Sequence, residues 1–531
     1  MMTPNPVRSA PPARLARHYT LTSWTPEYWH ALGVFTWIFA GSIYLSLPPS
    51  PDQFNHAYMG WLTLSGGVPY VDFIDVNWPG VFGLHALATW VFGVHLWTWR
   101  ALDFLLFACS ALFLIDLVRR AGGSVAAQVC AVASPLLYVS AGFWVAGQHD
   151  MSAAQFLVVA LWFHVRGYET EDWRWQLGMG LMLGIAMLNK PTVGAMLPLM
   201  SLQALLLGTP WRRFVEHSAA AMVALTATVV AGFAFVLLLG TTLDDLIEVP
   251  YLFSVSTQYI HGPNAASLSG VFLMAMGRSW ANVFLASAPA VVWLFRPANR
   301  SIASTALPIL WLTGLISYFV QGKAMQYHLA PSFLAMIGLL SVSAAVLLNS
   351  ELFASKPKLN RIALAGLMLI VVAHGGYRLT LSYGTLPGAI LARDASGHLA
   401  RFNENNDISI DDAVKFARRV GQGTQSGCLL LVGESSSINY LSRLRQPTGF
   451  YYFPVIAKAV PTLPMADKWH ARWAADLNAA DCHFALVARR VRDNWLTKPS
   501  PMADTLREFL LGYKETGIVG KSGGLIVFER Q

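Results

Sequence analysis

The chain has 531 residues, of which 55% are hydrophobic and only 12% charged, whereas an ordinary soluble domain carries roughly 25% charged residues. With a mean hydropathy of +0.46, it falls in the class of polytopic membrane proteins. Its formal charge of +8 does not point to nucleic acid, because Lys and Arg are spread through short loops and not gathered on one face.

Residues 1–28 include Arg8, Arg14 and Arg17 and read as a cytoplasmic N-terminal segment. The apolar run that follows, 29–48, is long and lacks a small-residue cleavage site, so it predicts an uncleaved first helix. Runs near the roughly 20 residues that a spanning helix needs recur at 97–118, 124–144, 151–166, 176–190, 191–208, 217–240, 280–295, 302–320, 327–348 and 362–381. Arg119 and Arg120, Arg166 and Arg174, Arg212 and Arg213, Arg296 and Arg300, and Lys356, Lys358 and Arg361 all fall on the side of the N-terminus. This alternation predicts eleven spans, with the C-terminus on the outer, periplasmic side.

The loops on the outer side are acidic. They hold Asp52, Asp72, Asp75, Asp150, Asp244, Asp245 and Glu248, and two of them, 49–96 and 241–279, are long. Within the first, the uncharged stretch 79–97 predicts a helix lying along the interface; a twelfth span there would reverse every later loop. Residues 29–381 thus read as a membrane module. Residues 382–531 alternate a helical pattern at 411–420 with strand-like runs at 428–432, 483–487 and 524–528, predicting a small soluble α/β domain outside the membrane. Cys109 and Cys130 lie in apolar runs. Cys428 and Cys482 each open a strand-like run in a disulfide-permitting compartment and pair if their strands are neighbours. No metal-type Cys/His spacing occurs.

The chemistry-bearing stretches follow the first helix: Pro51-Asp52-Gln53-Phe54-Asn55-His56-Ala57-Tyr58, then Gly67-Val68-Pro69-Tyr70-Val71-Asp72 and Asp75-Val76-Asn77-Trp78-Pro79-Gly80. In these motifs, and in their order over roughly residues 29–350, the chain resembles the C-type superfamily of membrane glycosyltransferases. The likeness is to the bacterial branch of lipopolysaccharide-modifying, aminoarabinose and protein mannosyl transferases. The resemblance implies a bacterial inner-membrane enzyme that moves a sugar from a polyprenyl-phosphate donor to a lipid, glycan or protein acceptor by inverting displacement. Asp52 matches the family's catalytic base, and a placed carboxylate contributes about 10²- to 10⁴-fold by taking the acceptor proton. Asp150, in Gly147-Gln148-His149-Asp150, matches a second acid that assists the first or helps hold a divalent ion. The family's Glu after the first acid is Gln53 here, and its Lys before the Pro turn is Asn77, so another cation must receive the donor phosphate.

Lys190 and Lys323 are the leading candidates, as positive charges on the side that otherwise excludes them; Arg278 is a third. Tyr58, Tyr70, Asp75 and His328 complete the candidate substrate contacts, and membrane lipids surround the whole. Each residue also has a structural reading: Asp52 and Asp150 as helix caps, the lysines as side chains snorkelling to the interface, most aromatics as interface anchors. A transporter or flippase is the alternative function. Such proteins place charges near the bilayer midplane and often show two related halves; here the acids lie in loops and no halves match.

Overall fold

The structure is a computed structural model that describes residues 26–248, 290–291, 294, 299–323, 325–349, 366, 375–404, 408–423, 427–433, 435–450, 465–520 and 524–531. Arg8, Arg14, Arg17, Arg278, Arg296, Lys356, Lys358 and Arg361 lie outside these residues, as does most of the predicted helices 280–295 and 362–381.

The membrane module runs through α1 (Pro26–Tyr44), α2 (Pro51–Leu64), α3 (Pro79–Phe92), α4 (Thr98–Ser140), α5 (His149–Thr170), α6 (Arg174–Asn189), α7 (Met196–Leu206), α8 (Trp211–Leu238), α9 (Ile302–Gln321) and α10 (Ala330–Asn349). Among the described residues, four helices are long and apolar enough to cross a membrane, by length and composition: Thr98–Ser140, Trp211–Leu238, Ile302–Gln321 and Gln326–Leu347. Helix α4 is two arms meeting at Gly123, whose φ of 84° and ψ of −175° are not helical. Those arms occupy the places of the predicted runs 97–118 and 124–144. The first long loop holds two helices: α2, which the cap reading of Asp52 implied, and α3, at the place of the helix expected at 79–97.

At 22 residues, α5 is about 33 Å long at 1.5 Å per residue, close to the hydrocarbon thickness of a bilayer. Its two ends differ in chemistry. Near its C-terminus, Glu169 pairs with Arg120 and Arg166, Arg120 also reaches Asp116 at 2.6 Å, and Arg213 meets Glu171 at 2.7 Å. Asp150 stands at the other end, so the arginine-rich face and the candidate acids are separated by the whole helix.

The C-terminal region has its own core around a four-stranded sheet. Strand β1 (Leu429–Val432) pairs in parallel with β2 (Phe484–Ala488), β2 pairs antiparallel with β4 (Leu525–Arg530), and β4 pairs antiparallel with β3 (Tyr513–Val519). The all-buried strands β1 and β2 are the continuous apolar runs visible in the sequence. β3 exposes most of its side chains and has no such signature. A disulfide joins Cys428 to Cys482 with Cα atoms 4.8 Å apart, where the parallel strands begin. Helices Ile410–Gly423, Ala466–Ala479 and Pro501–Leu510 supply Phe416, Trp469, Trp473 and Leu506 to the same core, which also takes in Ile74 from the first long loop.

The two parts are stitched together along that loop. Ser436 N donates to Asn55 Oδ1 at 2.8 Å, Gln446 N to the Tyr58 hydroxyl at 2.7 Å, and Ile74 N to Gly449 O at 2.8 Å. Arg445 and Arg472 donate to the carbonyls of Ser65 and Val71. Trp469 Nε1 reaches Glu248 at 2.9 Å.

Candidate active site

The site is built where four chain segments begin or break. The first is the start of α2, capped by Ser50 with Pro51 at its first position. Gln53 closes the cap by accepting from Ser50 N at 3.0 Å and donates to Ala146 O, also at 3.0 Å. A glutamate here would lack that second, donating role, which gives the departure from the family pattern a physical reason. The capping reading of Asp52 is therefore replaced: it sits, half-buried, in the first turn of α2, where a carboxylate complements the helix dipole.

The second segment is the start of α5. Gln148, not Asp150, is its N-cap residue, and Asp150 is 1% exposed. Its Oδ2 lies 3.2 Å from Lys190 Nζ and 3.1 Å from His149 Nε2, and its Oδ1 lies 3.1 Å from His328 Nδ1. The third segment is the break after α6. Proline disfavours helical backbone at the residue before it, and Lys190, before Pro191, takes φ −150° and ψ 98°. The break turns its ammonium inward to Asp150, His149 (3.3 Å) and His328 (3.4 Å), so the snorkelling reading does not hold. Gly80 lets the start of α3 lie against this break, since a Cβ there would be 2.7 Å from the carbonyl carbon of Leu188. The fourth segment is the turn Gln326–Leu329, which carries His328 into the cluster ahead of α10.

Lys323, in the connection between α9 and that turn, is only partly exposed. Burial and the neighbouring Lys190 ammonium push it down to about 8, against the pull of Asp150, Asp52 and Asp75. Asp52 acts electrostatically on Lys190 as well, so Asp52, Asp150, Lys190 and Lys323 share one field. Asp75 accepts from Asn77 N at 2.7 Å and from Asn77 Nδ2 at 2.6 Å, and the same Nδ2 lies 3.2 Å from His56 Nε2. Asn77 thus fastens the loop to α2, in the place where related chains carry a lysine. The His56 ring stands 5.4 Å from that of His149.

Two candidate substrate residues are otherwise engaged. The Tyr58 hydroxyl accepts from Gln446 N; the Tyr70 hydroxyl donates to Asn77 O at 2.8 Å. Both side chains are buried, and they brace the loop and the C-terminal region around the site. Arg278 lies outside the described residues.

For a divalent ion the residues present do not fit. Among the described residues no group of three His, Cys, Asp or Glu side chains converges as a metal site, and Asp150 is engaged by the Lys190 ammonium at the place a cation would take.

Sequence reasoning missed Arg100 and Asp103, both 0% exposed. Their signal was present: two ionisable residues three apart near the start of an apolar run, a costly arrangement in a membrane. His56, in the motif after the first helix, was missed as well.

Residues 78–238 match the sequence profile of the family described as dolichyl-phosphate-mannose-protein mannosyltransferase. Among solved structures, the fold matches ArnT from Cupriavidus metallidurans bound to undecaprenyl phosphate, with a TM-score of 0.56 and 15% identity over 95% of this chain and 98% of that one. The apo state of the same protein matches with a TM-score of 0.53 and 17% identity, over 94% and 97%. The chain thus shares its fold with these solved structures and, over residues 78–238, resembles the mannosyltransferase family. No curated protein sequence matches it. The profile match opens at Trp78 and takes in Asp150 and Lys190.

Proposed function

We propose that this protein transfers a glycosyl group from a polyprenyl-phosphate donor to an acceptor hydroxyl or amine, at the outer face of a bacterial inner membrane. The observation that carries the reading is the buried Asp150–Lys190–His328 cluster at one end of α5, with Lys323 and Asp52 in its field. A cation pair beside two carboxylates, at the boundary of an apolar bundle, suits a lipid phosphate leaving group next to a proton-accepting base. The fold match to a protein that binds undecaprenyl phosphate supports the same donor class.

In the proposed step the acceptor oxygen or nitrogen attacks the anomeric carbon from the face opposite the phosphate. The new bond forms as the carbon–oxygen bond to phosphate breaks, and the configuration inverts. Asp52 takes the acceptor proton, and the bond's electron pair leaves with the polyprenyl phosphate. Lys190 and Lys323 stabilise the departing charge, where fixed cations in a low-dielectric site act most strongly. Asp150 and His328 hold the Lys190 ammonium in place, and Asp75 with Asn77 and His56 shapes the wall toward α2. The C-terminal region, docked on the first long loop, lies on the outer side. The acceptor is a lipid, a glycan or a protein. Purified protein in liposomes, supplied with polyprenyl-phosphate sugars and envelope-glycan extracts, should release free polyprenyl phosphate in step with acceptor glycosylation. Release and transfer both absent, with well-folded protein and a donor set drawn from the native envelope, would overturn the reading.

A further inference from the structure

Both candidate acids lie on segments whose backbone is gripped by one buried guanidinium. Arg100 Nη2 donates to Pro48 O at 2.8 Å and to Phe143 O at 3.3 Å, and Nη1 donates to Ala146 O. Pro48 precedes Asp52 by four residues, and Ala146 precedes Asp150 by four. A planar fork of fixed donors spans three carbonyls from two loops in a way that a lysine ammonium, a single compact centre, does not.

Two further bonds close the same seam: Gln148 Nε2 to Ser50 Oγ at 3.0 Å and Trp99 Nε1 to Gly147 O at 2.6 Å. A buried cation is costly without a counter-charge, and Asp103 supplies one through a relay. Arg100 Nη1 donates to the Tyr44 hydroxyl at 3.0 Å, and that hydroxyl donates to Asp103 Oδ2 at 2.6 Å. Asp103 also accepts from the Tyr138 hydroxyl at 2.7 Å and from Gln155 Nε2 at 3.1 Å. Gln155 is on α5, five positions after Asp150, so the network holds that helix as well as the loop leading into it.

We infer that Arg100 is a positioning residue that sets the spacing of Asp52 and Asp150 by clamping the segments before them, with Tyr44 and Asp103 holding its fork in orientation. This rests on the glycosyl-transfer reading for its kinetic consequence, though not for its geometry. A misplacement of about 1 Å in a reacting group costs on the order of 100-fold. Arg100→Lys, which keeps the charge and loses the fork, should lower kcat ten- to a hundredfold. KM for the polyprenyl-phosphate donor should stay within about threefold, because Lys190 and Lys323 are untouched. Tyr44→Phe, which removes only the relay hydroxyl, should lower kcat in the same sense.

The second arm of the test needs no turnover. With Cys109 and Cys130 replaced by Ala, Ser50→Cys and Gln148→Cys should be cross-linked by a short bifunctional thiol reagent, and Arg100→Lys or Tyr44→Phe should slow that cross-linking at least fivefold in protein that remains monodisperse. Slower cross-linking with lowered kcat and steady KM supports the clamp. Unchanged cross-linking overturns it, whatever happens to transfer, and so does a loss of transfer explained wholly by a smaller folded fraction. Absence of transfer in the parent protein would count against the glycosyl-transfer reading alone, and the cross-linking arm would still decide the clamp.

Discussion

Replacing Asp52 by Asn separates chemistry from folding more cleanly than any other single change. The cap of α2 is made by Ser50 and Gln53, so the amide keeps the cap; it gives up the carboxylate's interaction with a helix N-terminus, about 0.3–1 kcal/mol, and its attraction to Lys190 and Lys323. The base, by contrast, contributes about 10²- to 10⁴-fold, which corresponds to roughly 2.7–5.4 kcal/mol of barrier at 1.36 kcal/mol per decade. Purified Asp52→Asn should therefore melt close to the parent in detergent. Its transfer rate, followed by release of polyprenyl phosphate in liposomes, should fall at least a hundredfold. Donor binding should change little, since the phosphate is assigned to Lys190 and Lys323. Undiminished transfer in well-folded Asp52→Asn would refute the assignment of the base. A large loss of thermal stability would refute the account of the cap.

Asp150 behaves differently because it is buried against Lys190. Breaking such a pair from one side costs about 3–5 kcal/mol, so Asp150→Asn and Lys190→Met should each lower the melting temperature markedly, and the double variant less than their sum; additive losses in a thermal-shift assay would contradict the pairing. Lys323 sits at about 8, below the ordinary lysine range, so its ammonium is lost as pH rises through that value. The donor KM should then climb above pH 8 while staying flat between 6 and 7, and Lys323→Arg should abolish the climb; a KM that is flat to pH 9.5 in the parent would rule this lysine out of phosphate recognition. Cys428→Ser should lower the stability of the C-terminal region by about 2–4 kcal/mol without a comparable loss of kcat, measured by protease susceptibility beside transfer; an equal loss of both would place the bridge in the site's support.

Composition and periodicity were enough to read a membrane bundle, the general course of its helices, and three of the four strands of the C-terminal sheet, because apolar runs carry those signals locally. The same holds for Lys190 and Asp150, which are conspicuous as ionisable groups at the ends of apolar helices. What the local pattern did not contain is partnership. Lys190, Asp150 and His328 are separated by up to 178 positions, and only the packing of α5, the break at Pro191 and the turn before α10 make them one cluster. Tyr58 and Tyr70 read as sugar contacts along the chain, yet a long-range backbone donor at Gln446 and the local fold-back to Asn77 engage their hydroxyls. Strand β3 escaped notice because its mostly exposed side chains give no apolar alternation. Arg100 and Asp103 were visible as letters, but their meaning depended on three carbonyls from two other stretches of chain. Burial periodicity is a property of neighbouring residues, whereas hydrogen-bond geometry belongs to the folded whole.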